Sequence, residues 1–588
     1  MYHACKPSLP QLRVWAPRAQ RVDLVTRLDR QLMLPQDNGW WQAEESPGHG
    51  EDYSFLVDGE GPFPDPRSPW QPGGIEGQSR RLDHRRFEWS DQGFQPVPLS
   101  SAVIYELHVG TFSPEGTFKG VMHRLDHLVE LGVSHVELMP VAEFSGSRGW
   151  GYDGVNLYAP HHVYGHPEEL KELVNACHSR GLGVILDVVY NHLGPRGNYL
   201  PRFGPYFTDR YRTPWGDAVN LDGAYSDDVR RFFIENALMW LRDYHFDGLR
   251  LDAVHALYDF SARHFLEELA WEVKELEAGL GRHLVLIAES DLNDPRVIRP
   301  FQAGGYGMHA QWNEDFHHAL HAALTGESQG YYADFGDLAH LAKALEKGFV
   351  YDGIYSQFRR RRHGRPAPDI CGHRYVGCLQ NHDQVGNRAR GERSSQLLTQ
   401  GQLKMGAALV LTSPFIPMLF QGEEWGARTP FLYFTAHEDA GLAREVFHGR
   451  LAEFKGFGWD PGDIPDPQDP ETFVRSRLDR QELSQDRHAE ILNWYKQLIR
   501  LRREYPELTS GRPEQVRVEF HEEKRWLIMR RGPLCVACNF SPAQQTVPLG
   551  GQATNLHIVL ASQADAALYG WDLFLPGHCV AVLCCRLN

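Results

Sequence analysis

Four short segments of the chain end runs of apolar residues with acidic, basic or histidine side chains. They are DVVYNH (187–192), GLRLDAVHA (248–256), IAES (287–290) and QNHDQ (380–384). Among their residues, Asp252, Glu289 and Asp383 are candidate catalytic acids. Cleavage of an acetal bond needs an acid that protonates the leaving oxygen and a carboxylate that faces the carbon becoming cationic. The four segments in this order therefore predict chemistry on a neutral sugar.

The spacing within these segments separates the roles of two of the acids. Arg250 and Asp252 lie two residues apart in a run of strand length, so both point to one face while the intervening leucine points to the other. A neighbouring arginine favours the ionised form of Asp252, as a nucleophile requires. Glu289 must keep its proton for the leaving oxygen, and nearby carboxylates in a partly dry pocket are expected to raise its pKa.

The elements that must position these residues follow from the pattern of apolar residues between about residues 100 and 440. Strands are predicted at 103–107, 135–139, 184–189, 248–251, 284–288, 309–312, 375–379 and 416–420. Helices are predicted between them at 121–131, 167–181, 227–244 and 261–276. This alternation is typical of an α/β fold with a parallel sheet buried on both faces, here a (β/α)8 TIM barrel. The ends of the barrel strands share one face, so the candidate acids should converge there.

The rest of the chain reads as flanking and connecting regions. Residues 1–95 are predicted to form an N-terminal β-sandwich, and 96–440 the catalytic barrel with an excursion at 194–225. Residues 441–509 are predicted as a helical or extended connection that completes the barrel, and 510–588 as a C-terminal β-domain. Tryptophans 15, 40, 41 and 70 are interpreted as core residues of the sandwich rather than sugar-stacking residues.

Composition excludes several classes of function. The net charge of −16 disfavours nucleic acid as a partner, and the basic run 359–362 is interpreted as a solvated loop. The longest apolar stretch, 406–420, is interrupted by prolines and shorter than the ~20 residues that span a bilayer, so no membrane association is predicted. The start MYHACKPSLP shows no secretion signal, and nine scattered cysteines suggest reduced thiols, so we expect a cytoplasmic location. Nothing in the sequence indicates an oligomeric state.

Possible metal ligands have simpler interpretations. Cys535 and Cys538 have CxxC spacing without a second pair, so a structural role is favoured over zinc or redox chemistry. His317 and His321 have the i, i+4 spacing of a metal site, but without an HExxH motif a helix lining a sugar groove is favoured. No metal and no cofactor are predicted. Asp187 is interpreted as a hydrogen-bonding residue of the barrel rim.

The four segments resemble the signature regions of the α-amylase superfamily, glycoside hydrolase family 13. The resemblance implies that Asp252 is the nucleophile, Glu289 the general acid and base, and Asp383 the stabiliser of the transition state. It also implies a retaining mechanism through a covalent glycosyl–enzyme intermediate. Substrate-binding positions expected from these segments and from the GYDG motif are Tyr152, His192, Arg250, His255 and His382.

A narrower resemblance, to a trehalose-releasing group within this family, rests on linker and loop motifs. They include FPDPRSPWQPGGIEGQS (63–79), WGYDGVNLYAPHHVYG (150–165), QWNEDFHHALH (311–321) and HDQVGNR (382–388). It implies hydrolysis of the α-1,4 bond next to a terminal trehalose unit of an α-glucan. Candidates for the trehalose subsites are Asp315, His318, Gln384, Asn387 and Arg388. The alternatives are an α-1,4-glucan branching transferase and a non-catalytic α-glucan-binding protein, and the presence of all three acids disfavours the second.

Overall fold

The computed structural model describes residues 9–454, 457–550 and 556–585. Eight parallel strands form a closed barrel in which each strand pairs with the next and the last pairs with the first. They are β1 (Ile104–Leu107), β2 (His135–Leu138), β3 (Gly183–Val188), β4 (Gly248–Leu251), β5 (Val285–Ala288), β6 (Ala310–Trp312), β7 (Tyr375–Cys378) and β8 (Ile416–Phe420). Their residues are buried almost throughout, because helices cover the outer face. The prediction of an α/β TIM barrel with eight strands is confirmed.

Helices follow most of the strands. They are Phe118–Met122, Leu125–Leu131, Pro167–His178, Ser226–Asp243, Phe265–Leu280, Glu314–Thr325, Leu338–Lys347, Gln400–Thr412 and Asp486–Glu504. The single helix predicted at 121–131 is wrong: two helices are separated at Arg124, whose φ of −115° and ψ of 1° leave helical geometry. Between β5 and β6 the 3-10 turn Phe301–Ala303 stands where the ideal fold has a helix. No helix among the described residues is both long and apolar enough to cross a membrane.

The N-terminal region forms two antiparallel sheets. One contains Arg13–Trp15, Leu34–Pro35 and Trp40–Gln42, and the other Val22–Thr26, Arg30–Leu32, Asp52–Val57, Glu60–Phe63 and Ser79–Arg80. Trp15 and Trp41 are buried in its core, as predicted. Trp40 instead reaches the barrel, because its indole N–H donates to a carboxylate oxygen of Asp228 at 3.0 Å. The segment 1–8, which includes Cys5 and most of the start predicted to lack a signal, lies outside the described residues.

Two segments above the barrel contain more regular structure than the sequence indicates. The excursion predicted at 194–225 contains the short helix Leu200–Phe203 and a hairpin of Phe207–Thr213 with Gly216–Val219. The segment after residue 440, predicted as a helical or extended connection, begins with a 15-residue helix, Ala440–Phe454. Phe447, Leu451 and Phe454 repeat at helical spacing, but Gly441 and Gly449 weaken the helical pattern of this segment.

The C-terminal strands form two further sheets. The larger contains Val516–His521, Trp526–Arg531, Leu534–Asn539, Leu556–Ala561 and Cys579–Cys585, and the smaller Gln545–Pro548, Ala567–Tyr569 and Asp572–Leu575. The predicted C-terminal β-domain is thus confirmed as a strand-rich region. Buried Arg531 joins it to the barrel by donating to the carbonyl oxygens of Thr412, Glu507 and Ser510.

Candidate active site

A cavity of about 1500 Å³ opens at the carboxyl ends of the barrel strands, and all three candidate acids line it. Asp252 directly follows β4 and Glu289 directly follows β5. These strands are neighbours in register, with Leu251 opposite Ala288, so their next residues emerge side by side. Asp383 follows β7 and reaches the same cavity from across the barrel. The fold thus brings together acids that are up to 131 residues apart in the sequence, from Asp252 to Asp383.

The side chain of Arg250 lies beneath the cavity and forms ion pairs with several acids. It is fully buried, and one guanidinium nitrogen lies 2.7 Å from Asp187 and 3.0 Å from Asp252, while the other lies 3.3 Å from Glu289. The guanidinium also stacks over the ring of Trp312 at 4.0 Å. One cation therefore holds two candidate catalytic carboxyls in place. Arg250 lies beneath the lining of the cavity and contacts the acids, and its predicted part in binding substrate stays a prediction.

Asp252 and Glu289 have contrasting surroundings. The side-chain N–H of Asn191 donates to Asp252 at 2.8 Å, and the Arg250 guanidinium lies 3.0 Å from the same carboxyl group. Burial raises the pKa of Glu289 well above its ordinary value against the opposing charge of Arg250, and the negative charge of Asp252 raises it further. One acid is thus suited to attack and the other to carry a proton.

The backbone between the two acids is strained. Ala253 has a φ of 39°, a left-handed conformation that residues with a side chain rarely adopt, and its N–H donates to Glu289 at 2.6 Å. The turn at Ala253 therefore fixes the position of the Glu289 carboxyl group. It also changes the direction of the chain after Asp252. Such local strain is typical of functional sites, where the surrounding fold holds it.

Asp383 lies in the first turn of the short helix His382–Gly386. The side-chain oxygen of Asn381 caps this helix by accepting from the N–H groups of Asp383 and Gln384. Asp383 remains open to the cavity, with 38% of its side chain exposed. A fixed backbone with an accessible carboxylate suits a group that faces developing positive charge on a bound sugar.

Tyr152 and His382 form a stacked and hydrogen-bonded pair next to Asp383. Tyr152 stacks on His382 with ring centres 5.2 Å apart, and its hydroxyl oxygen lies 2.8 Å from the His382 Nε2. The same hydroxyl donates to Asp187 at 2.6 Å, and Asp187 also binds Arg250. The interpretation of Asp187 as a hydrogen-bonding residue of the rim agrees with these contacts.

Other residues expected to bind substrate lie around the cavity. His192 stacks on Trp215, which the excursion hairpin presents, at 4.4 Å with the rings 5° from parallel. His255, His318, Gln384 and Asn387 also line the cavity. Their positions agree with a role in binding, which stays a prediction.

Two residues expected in the trehalose subsites are not brought to this cavity. The carboxylate of Asp315 turns away and accepts from the backbone N–H groups of Val350 and Tyr351 and from Asn293. Arg388 forms an ion pair with Glu327 at 2.8 Å. Neither side chain lines this cavity, because each binds partners in neighbouring segments, and their assignment to the trehalose subsites stays a prediction.

The histidines of helix Glu314–Thr325 do not gather at a metal site. His321 pairs with Glu327 at 2.7 Å, and His317 lies 3.2 Å from the hydroxyl of Tyr332. Only His318 of the three lines the cavity. The interpretation of a helix that contributes to the sugar groove therefore fits better than a metal-binding pair.

Sequence reasoning missed two charged contributors to the cavity. Arg359, assigned to a solvated loop, lines the cavity and pairs with Asp291 at 2.9 Å. Glu314 also lines it, and burial together with the charges of Asp291 and Asp383 raises its pKa to about 8. Its position two residues after β6, in the QWNED segment, was the available signal, since the other acids also follow barrel strands.

Comparison with known proteins agrees with this architecture. The family model for the alpha amylase catalytic domain matches residues 83–211, and a domain of unknown function, DUF3459, matches residues 512–582. Malto-oligosyltrehalose trehalohydrolase of Arthrobacter ramosus is 54% identical over 577 residues, which cover 97% of this chain and 99% of that protein. The protein of the same name from Mycobacterium tuberculosis is 48% identical, covering 92% and 95%. The chain belongs to the malto-oligosyltrehalose trehalohydrolase family.

Solved structures agree with the fold of this trehalohydrolase-family chain. The crystal structure of a putative alpha amylase from Salmonella typhimurium has a TM-score of 0.90 and 38% identity, covering 98% of this chain and 97% of that one. A pullulanase from Paenibacillus barengoltzii, solved with maltohexaose and alpha-cyclodextrin, has a TM-score of 0.73 at 22% identity, and this likeness concerns the fold alone. The resemblance to the α-amylase superfamily is thereby confirmed over nearly the whole chain.

Proposed function

We propose that the chain hydrolyses the α-1,4-glucosidic bond next to the terminal trehalose of maltooligosyltrehalose and releases trehalose. The observation that carries the proposal is the convergence of Asp252, Glu289 and Asp383 in one cavity of a chain 54% identical to a trehalohydrolase over nearly its full length. A cavity of about 1500 Å³ is large enough for several sugar units.

The reaction proceeds in two displacements. Asp252 attacks the anomeric carbon while Glu289 gives its proton to the leaving oxygen, so trehalose departs and a glycosyl ester forms on Asp252. Glu289, now ionised, takes a proton from water, and the resulting hydroxide equivalent displaces Asp252 from the sugar. Asp383 faces the positive charge that develops on the ring in both steps. Two inversions at one carbon retain its configuration.

We infer a cytoplasmic location from the cysteines of the protein. Six of the eight cysteines that the structure describes are buried: Cys177, Cys378, Cys535, Cys538, Cys579 and Cys584. Because reduced cysteines are typical of the cytoplasm, they support a cytoplasmic reaction on an α-glucan-derived substrate.

The test is incubation with maltotriosyl-trehalose followed by sugar analysis and early proton NMR. We expect free trehalose, one new reducing end for each bond cleaved, and the α-anomer of that end before mutarotation. A branching enzyme of Vibrio parahaemolyticus is 32% identical over 52% of this chain, so glucan transfer is the relevant rival. Unchanged reducing ends with altered iodine staining of amylose would support the rival, and an initial β-anomer would contradict the double displacement.

A further inference from the structure

A buried carboxylate outside all four signature segments lies under the catalytic face. Glu106 belongs to β1 and is 1% exposed. One of its oxygens lies 2.5 Å from the His382 Nδ1, and the other accepts the backbone N–H of His382 at 3.0 Å. It therefore holds both the ring and the main chain of a residue 276 positions away.

The hydrogen bonds around His382 determine its protonation. An ionised carboxylate only accepts hydrogen bonds, so the contact with Glu106 places a proton on Nδ1. At the other ring nitrogen, Nε2, the partner is the hydroxyl of Tyr152, which lies 2.8 Å away. That hydroxyl already donates its only proton to Asp187, so it accepts from Nε2. Both ring nitrogens then carry protons, and His382 is an imidazolium.

The other ionisable groups near the ring agree with this charge. Burial opposes it, but Asp383 and Glu106 outweigh burial and raise the pKa of His382 to about 9. Arg250 acts in the opposite direction. From β2, Glu137 contributes little charge, because burial raises its pKa well above the ordinary value. The remaining neighbour, His108, is neutral, since burial lowers its pKa to about 3.

We propose that Glu106 is a positioning residue of the hydrolytic reaction, which holds His382 as an imidazolium with its Nε2–H aimed at Tyr152 and Asp383. The Nε2 lies 3.5 Å from a carboxyl oxygen of Asp383, so the positive charge of the imidazolium lies next to that acid. Because His382 and Asp383 both line the cavity, Glu106 acts on bound sugar through its partner without touching the sugar. The inference rests on the proposed function for its effect on turnover but not for the protonation itself.

The experiment compares Glu106→Gln with Glu137→Gln. Glu137 is an equally buried carboxyl of the neighbouring strand, and its two oxygens have no hydrogen-bond partner among the described residues. Ring-15N-histidine NMR of the free enzyme near pH 7.5, with His382 identified through His382→Asn, reports its protonation. We expect an imidazolium in the wild type and in Glu137→Gln, and a neutral ring in Glu106→Gln. An imidazolium that persists in Glu106→Gln would overturn the proposal.

Kinetics test whether Glu106 acts through His382. We expect Glu106→Gln to lower kcat by about 100-fold with KM changed less than about threefold, as when a group that orients charge for the transition state is lost. In the His382→Asn background, Glu106→Gln should lower kcat by less than about twofold, because the histidine that Glu106 positions is already absent. If the decreases in kcat of the two single variants multiply in the double variant, Glu106 does not act through His382.

A replacement variant and the separate NMR readout keep the proposal about Glu106 testable in every case. If Glu106→Gln does not fold, Glu106→Asp replaces it, and its retained charge should keep the imidazolium signal while a neutral ring would overturn the proposal. If the wild type releases no trehalose, the proposed function fails, but the NMR comparison still decides the protonation.

Discussion

At the scale of single residues, the proposed reaction depends on three acids. Asp252→Asn, Glu289→Gln and Asp383→Asn should each lower kcat/KM by several orders of magnitude, since each loses a group that acts in the transition state. Their melting temperatures should stay close to wild type. Asp126→Asn, the same type of change at an exposed acid, is the control and should keep wild-type activity. A variant of Asp252 or Glu289 that retains more than about a tenth of wild-type turnover, a cost below ~1.4 kcal/mol, would contradict its assigned role.

A fourth acid should give the enzyme a pH dependence in binding. With a pKa raised to about 8 by burial and by Asp291 and Asp383, Glu314 is a neutral hydrogen-bond donor below that pH and an acceptor-only carboxylate above it. We therefore expect KM to rise as the pH passes upward through about 8. Glu314→Gln keeps a donor at every pH and should remove this rise. The measurement is KM between about pH 6 and about pH 9.5, and an unchanged profile in the variant would exclude Glu314 as its source.

At the scale of elements, the excursion hairpin supplies one wall of the cavity. Its turn presents Trp215, which is 49% exposed and stacks on His192. Trp215→Ala should raise KM by roughly 2- to 10-fold with kcat little changed, because an aromatic pair is worth about 0.5–1.5 kcal/mol and the Trp215 ring carries no acid or base group. Trp571, 38% exposed in the C-terminal region, gives a matched control, since Trp571→Ala removes a similar ring outside the cavity. Equal effects of the two variants would contradict a local role for the hairpin.

At the scale of the whole molecule, Arg531 joins the C-terminal sheet to the barrel. Its guanidinium is buried and donates to three carbonyl oxygens. Arg531→Ala leaves these carbonyls without that donor and should destabilise the protein by about 3 kcal/mol, given about 1–3 kcal/mol for each unsatisfied buried group. A calorimetric scan should show a lower apparent melting temperature with kcat nearly unchanged. Exposed Arg517 lies on the neighbouring strand, and an equal loss in Arg517→Ala would contradict the role of this junction.

The sequence by itself determined the barrel and the three acids at its mouth. Apolar runs of strand length predict β4 and β5 almost to the residue, and Asp252 and Glu289 follow these runs directly. In a parallel barrel all strand ends share one face, so their convergence follows from local pattern and topology together.

The tertiary structure alone decided which polar side chains face the cavity. Asp315 and His318 lie three residues apart on one helix, yet only His318 reaches the cavity, because the Asp315 carboxylate binds the backbone of Val350 and Tyr351. Glu106 lies in a continuous apolar run, and its partner His382 is 276 positions away. Hydrogen bonds between such distant residues depend on how the loops and strands pack, and periodicity along the chain carries no information about them.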